Sequence, residues 1–202
     1  MHKHLGLSDR QMHDTFKTWN EGRLQSYLIE ITRDIFAFKS PGKDHILLHD
    51  ILDVARAKGT GKWTSQVAMD LNLPVPIIDI AVSMRDLSRY KKLRVDASHQ
   101  FLNEKQKFDG DVAKNLSDLE AAYYFAMVTA YAQGMHLLKT ASESFKYNLR
   151  LDTIAKIWRG GCIIRSAFLE KIYSAYSGNP SLGHLFLDKE IGGNLQNALA
   201  SL

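Results

Sequence analysis

Apolar residues recur at helical spacing through almost the whole of this chain, and no two alternating runs pair into a convincing strand hairpin. A chain patterned this way buries its apolar stripes helix against helix, so the fold expected is all-α, a multi-helix bundle-like domain with long helices. Ser8 followed by Gln11 reads as a capping box, with Met12, Phe16 and Trp19 as the stripe behind it and Asn20 to Gly22 as its break. Leu24, Leu28, Ile31 and Ile35 mark a second helix. Lys39 to Lys43 reads as a loop, His49 to Ala57 as a short helix, and Trp63, Val67 and Leu71 as the stripe of another. Pro74 and Pro76 separate that helix from one carrying Ile77, Ile80, Ala81, Met84 and Leu87. Val95 to Phe108 reads as irregular, Asp118 to Phe145 as a long helix, and Ile154 to Tyr176 as a further long helix ended by Gly178-Asn179-Pro180. Ile157, Cys162, Ile163, Phe168 and Ile172 are expected to face the core, as is the aromatic run Tyr123, Tyr124, Phe125 and Tyr131.

Between the short helix and the Trp63 helix stands Lys58-Gly59-Thr60-Gly61-Lys62. Two glycines let a backbone approach an anion closely, and the helix that follows offers free amides and the positive end of its dipole. The same residues also make an ordinary solvated connection. A Walker loop is excluded, because Arg56 stands where its first glycine belongs and Trp63 where Ser or Thr should follow the lysine. From the loop the Trp63 helix rises about 15 Å, Pro74-Val75-Pro76 reverses the chain, and about nine residues return. That path brings Arg85 near Lys58, although Arg85, Arg89 and Lys92 equally read as one solvated face.

The 202 residues suffice for a single domain, 1-202, with a sizeable core. With 26 Lys and Arg against 22 Asp and Glu, the net charge is +4, and the signs are interspersed, so no nucleic-acid stripe is expected. The apolar stretch Ala121 to Met135 is too short to span a bilayer, so no membrane association is expected. One cysteine, Cys162, excludes an internal disulfide and fits a reducing compartment, where it reads as a buried small hydrophobe. His45 and His49 are one helical turn apart, but Ile46 stands where a metalloprotease motif has glutamate, and no metal site is expected.

Three blocks, in order, carry a family resemblance. Ile51 and Asp53 stand ahead of Lys58-Gly59-Thr60-Gly61 and Trp63; Trp19-Asn20-Glu21-Gly22 leads to Ser26 through Thr32; and Trp158-Arg159-Gly160-Gly161-Cys162 runs on to Arg165. Over roughly Leu5 to Leu187 the chain resembles the helical C-terminal domain of decarboxylating 6-phosphogluconate dehydrogenases, departing from the family pattern at Arg56 and Ala57.

The resemblance implies an NADP-dependent conversion of 6-phosphogluconate to ribulose 5-phosphate and carbon dioxide, by a cytoplasmic homodimeric enzyme of the pentose phosphate pathway. It makes Lys58, Thr60 and Arg85 substrate-binding residues, with Lys58 and Arg85 on the phosphate, and leaves Lys62 a solvated neighbour. The family's catalytic lysine and glutamate and its Rossmann NADP-binding domain are expected to precede Met1, and its C-terminal tail to follow Ser201-Leu202. No catalytic, cofactor-binding or metal residue is therefore expected in this chain, which alone should be inactive. The other reading is a non-catalytic helical interaction module in which the same motifs persist as packing elements.

Overall fold

The computed structural model describes residues 1–101 and 108–199. Ten α-helices form among them: α1 (His2–Leu5), α2 (Asp9–Asn20), α3 (Tyr27–Ile35), α4 (Thr60–Asp70), α5 (Pro76–Ser88), α6 (Lys91–Gln100), α7 (Val112–Phe145), α8 (Leu151–Arg159), α9 (Phe168–Gly178) and α10 (Lys189–Leu199). Two short 3-10 turns, Leu47–Asp50 and Leu185–Leu187, complete them. The only β pairing among the described residues is two isolated bridges, Ser26 with Ser166 and Lys39 with Ile46.

The 34-residue α7 is the spine, about 50 Å long at the α-helical rise. Ala121, Tyr124, Val128, Ala132 and Met135 recur at helical spacing along one face, and all are buried. That stripe meets Leu24 and Ile29 from the α3 region, Phe168, Leu169, Ile172 and Tyr176 from α9, and Ile191, Leu195 and Ala198 from α10. Asp111 caps α7 by accepting from the amides of Ala113 and Lys114, so the helix starts six residues before the expected Asp118. At the other end of the chain the capping box of Ser8 and Gln11 is formed, and Met12 and Trp19 are buried behind it with Phe16 against the core.

Four expectations need correction. The long helix expected from Ile154 to Tyr176 is two helices. Gly160-Gly161 ends α8, Gly161 taking φ +149°, and residues 162–167 cross to the start of α3. There Tyr27 N donates to Arg165 O and Ala167 N to Gln25 O, while the Tyr131 hydroxyl of α7 bonds Ile164 O and Ser166 Oγ. Tertiary hydrogen bonds thus replace helical ones, and Ile157 and Ile163 face outward while Cys162 is only partly covered. Tyr123 also stands outside the core, unlike Tyr124 beside it. Second, the helix expected from His49 to Ala57 is the 3-10 turn followed by irregular chain. Third, the polar stretch from Val95 is helical as far as Gln100, supported by the i,i+4 pair of Lys92 and Asp96; residues 102–107 of that stretch lie outside the described residues. Fourth, the helix marked by Leu24, Leu28, Ile31 and Ile35 is α3, but it begins only at Tyr27, so Leu24 precedes it. Ser201-Leu202 also falls outside the described residues.

Helices α4 to α6 are tied on separately. Ala68, Val75 and Leu137 make a small second apolar knot, flanked by Leu71, Leu73 and Ile78. The buried Gln133 of α7 accepts from the amide of Ile77, which lies in the first turn of α5 where no side chain of its own caps the helix.

Candidate anion site at the start of α4

Gly59 is the N-cap of α4 at φ +99°, a conformation open to glycine and strained for other residues. Gly61 is needed for a different reason. A Cβ there would stand 3.0 Å from Val82 Cγ2, so the first turn of α4 lies directly against α5. The first backbone bond of α4 runs from Trp63 N to Gly59 O, which leaves the amides of Thr60, Gly61 and Lys62 without helical acceptors. The first turn carries no acidic residue that would neutralise them.

Upstream, the amide of Ala55 donates to Ser88 Oγ at 2.9 Å, and Ser88 Oγ donates to the carbonyl of Arg85 at 2.6 Å. The chain from Ala55 to Gly61 therefore passes along α5 from Ser88 to Val82, and Lys58 is midway between the two contacts. Arg85 is midway between Val82 and Ser88 on α5. The fold thus brings the start of α4 to the stretch of α5 that bears Arg85. Lys58, Thr60 and Arg85 are all exposed. Among the described residues, neither Lys58 nor Arg85 forms a salt bridge, whereas the nearby Lys91 and Arg94 are both spent on Asp53, at 2.6 and 2.9 Å. Those two partners, Lys91 first, hold the Asp53 carboxyl down at about 2, well below its ordinary 3.8. An arginine fork, a lysine point charge and a helix N-terminus are each groups that can bind a phosphate.

The Asp53 clasp was invisible to spacing arguments, because its partners are 38 and 41 residues away. Its only trace in the sequence is the position of Asp53 ahead of the glycine loop.

Two other clusters of charged or metal-ligating side chains have most of their groups paired. A cleft of about 430 Å³ between α7, α8 and α9 is lined by Lys139, Glu143, Arg150, Asp152 and Tyr173. In it Arg150 is bound to Asp152 and Lys139 to the carbonyls of Ser181 and Leu182. His45 and His49 have ring centroids 6.3 Å apart, but each imidazole faces its own carboxylate, Asp50 at 3.0 Å and Asp9 at 2.9 Å. Hydrogen bonds from Ser40, His45 and Lys43 hold the Asp50 carboxyl well below the usual carboxylate range.

Relatives share this arrangement of sequence and fold. The chain is 46% identical over 198 residues to the decarboxylating 6-phosphogluconate dehydrogenase of Staphylococcus aureus strain N315, spanning 96% of this chain and 42% of that protein. To the enzyme of the same description from a Synechocystis species it is 45% identical over 187 residues, 92% of this chain and 39% of that one. The solved 6-phosphogluconate dehydrogenase of Plasmodium falciparum, studied apo, with its cofactor NADP+ and with its substrate 6-phosphogluconate, superposes with a TM-score of 0.94 at 41% identity. All of this chain is covered in that superposition, and 44% of the Plasmodium chain. The chain therefore spans about two fifths of the length of these relatives. The family model described as 6-phosphogluconate dehydrogenase, C-terminal domain, matches residues 1–202, and the chain belongs to that family.

Proposed function

We propose that this chain is the helical part of an NADP-dependent, decarboxylating 6-phosphogluconate dehydrogenase of the cytoplasm, and that it holds the phosphate of 6-phosphogluconate and supplies the dimer interface. The observation that carries the reading is that the Gly61–Val82 contact and the Ser88 relay hold the chain bearing Lys58, and the uncapped start of α4, against the stretch of α5 that bears Arg85, with neither side chain in a salt bridge among the described residues. In this reading Arg85 grips the phosphate through its fork, Lys58 adds a point charge, and Thr60 lies in the same pocket. In this reading NADP is held mainly outside the described residues. Their fold contains no βαβ unit and so no glycine-rich turn leading from a strand into a helix, which supports assigning dinucleotide binding and hydride transfer to the part of the relatives that this chain does not span.

Pairing is supported by surface area. A compact monomer of this mass exposes about 9,600 Å², whereas this chain exposes 13722 Å². Trp63, Met69, Ile80 and Met84 of α4 and α5 contribute large apolar side chains to that surface. Among the described residues no helix is long and apolar enough to cross a membrane.

The test is steady-state kinetics of the complete dehydrogenase. Lys58→Ala and Arg85→Ala should each weaken 6-phosphogluconate affinity by about 1.5 to 3 kcal/mol, the scale of a lost charge-assisted hydrogen bond, and leave NADP affinity nearly unchanged. The isolated chain should form no NADPH. Wild-type substrate affinity in both variants would remove the assignment of the phosphate site.

A further inference from the structure

Between Leu52 and Lys58 the chain forms no backbone-to-backbone hydrogen bond among the described residues. Its course is fixed by side chains of α5 and α6. Arg94 is the hub of that attachment. Its Nη1 donates to Asp53 Oδ2 at 2.9 Å, and its Nη2 donates to the carbonyls of Asp53 at 3.2 Å and of Ser88 at 3.0 Å. The Ser88 carbonyl belongs to the last turn of α5, where helical acceptors lack helical donors, so a guanidinium fork closes the helix end and the loop together. Through Ser88 Oγ the same point of α5 receives the Ala55 amide and donates to the backbone of Arg85 itself.

We propose that Arg94 is a positioning residue for the phosphate site. By holding Asp53 and the end of α5 in one fork, it sets the register at which Lys58 passes Arg85, without touching the ligand. The proposal rests on the reading of Lys58 and Arg85 as phosphate ligands. Lys91 cannot do the same work, because its single ammonium reaches only the Asp53 carboxylate. An exposed ion pair adds little to stability, so the clasp acts on geometry more than on folding.

The experiment measures KM for 6-phosphogluconate, kcat and KM for NADP in the complete dehydrogenase carrying Arg94→Ala, Arg94→Lys, Ser88→Ala or Lys92→Ala. Lys92 lies on the same helix and is paired only with Asp96, so it controls for the loss of a positive charge. The expected result for Arg94→Ala is a rise in KM for 6-phosphogluconate of about tenfold, with kcat and KM for NADP within about twofold. Arg94→Lys should fail to restore it, since an ammonium cannot span both carbonyls and the carboxylate. Ser88→Ala should move KM in the same direction, and it decides the matter if Arg94→Ala does not fold. On a Lys58→Ala background, Arg94→Ala should add less than about twofold, because the residue it registers is gone. An unchanged KM, a full additional rise on that background, or an equal rise in Lys92→Ala would overturn the proposal. Lys58→Ala with wild-type KM would instead overturn the phosphate-site reading and this inference with it.

Discussion

Replacing Gly61 with alanine isolates the contact on which the site's geometry depends. The added Cβ would lie 3.0 Å from Val82 Cγ2, closer than the separation of about 3.5 to 4.0 Å at which carbon atoms settle, so the two helices must give at this point by a few tenths of an ångström. Val82 cannot turn aside easily, since a β-branched residue in a helix keeps one strongly preferred rotamer. Overpacking of this kind costs about 1 to 3 kcal/mol, and exchanging glycine for alanine within a helix returns up to about 1 kcal/mol. The net loss of stability is therefore small, about 0 to 2 kcal/mol, while the displacement falls between the two groups proposed to share one phosphate. If the shift forfeits one optimal charge-assisted bond, KM for 6-phosphogluconate rises about tenfold, the equivalent of 1.4 kcal/mol. The assay is initial-rate NADPH absorbance of the complete dehydrogenase, with a thermal melt of each variant alongside. Adding Val82→Ala to Gly61→Ala removes the clashing methyl and should bring KM back toward the parent value. A Gly61→Ala variant with unchanged KM, or a double variant that stays as impaired as the single, would refute the argument from close approach.

Two further outcomes are expected. Light scattering of the purified chain at micromolar concentration should give twice the 22.9 kDa chain mass; a species at 22.9 kDa alone would remove the pairing argument built on exposed area. Asp53 has its folded pKa depressed from 3.8 to about 2, so the stability it contributes is present above pH 3.8 and is lost as pH falls toward 2. Because the pair is exposed the contribution is small, so acid denaturation of wild type and Asp53→Asn should show a slight difference that closes over that interval, and a large or constant difference down to pH 2 would contradict the clasp.

Much of the spine could be read from residue spacing, because burial and helical period coincide there. Tyr124, Val128, Ala132 and Met135 repeat as a buried stripe, and the Ser8 cap and Pro76 start are local signals with local causes. Gly160-Gly161 misled because the apolar residues beyond it keep roughly the same period, so the break is visible only through its partners, Gln25, Tyr27 and Tyr131. Loop residues Asp53 and Ala55 read as helix in the sequence for a similar reason: their hydrogen bonds go to Arg94 and Ser88, residues no periodicity connects to them. The residues proposed for the phosphate follow from family resemblance. Spacing alone left Arg85 divided between a site and a solvated face, and the reversal at Pro74 to Pro76 supplied only an approximate path.

The attachment of α4 to α6 through Ala68, Val75, Leu137 and one amide bond from Ile77 to Gln133 carries a thermodynamic consequence. A subdomain held by so few buried groups opens locally at a fraction of the free energy needed to unfold the spine around α7. Any anion that engages both Lys58 and Arg85 binds only the closed form, and therefore stabilises this subdomain in proportion to its occupancy while leaving the main core nearly untouched. If the proposed site is filled in this way, its occupancy and the order of the three helices that build it become a single equilibrium, with α7 as the fixed wall against which it runs.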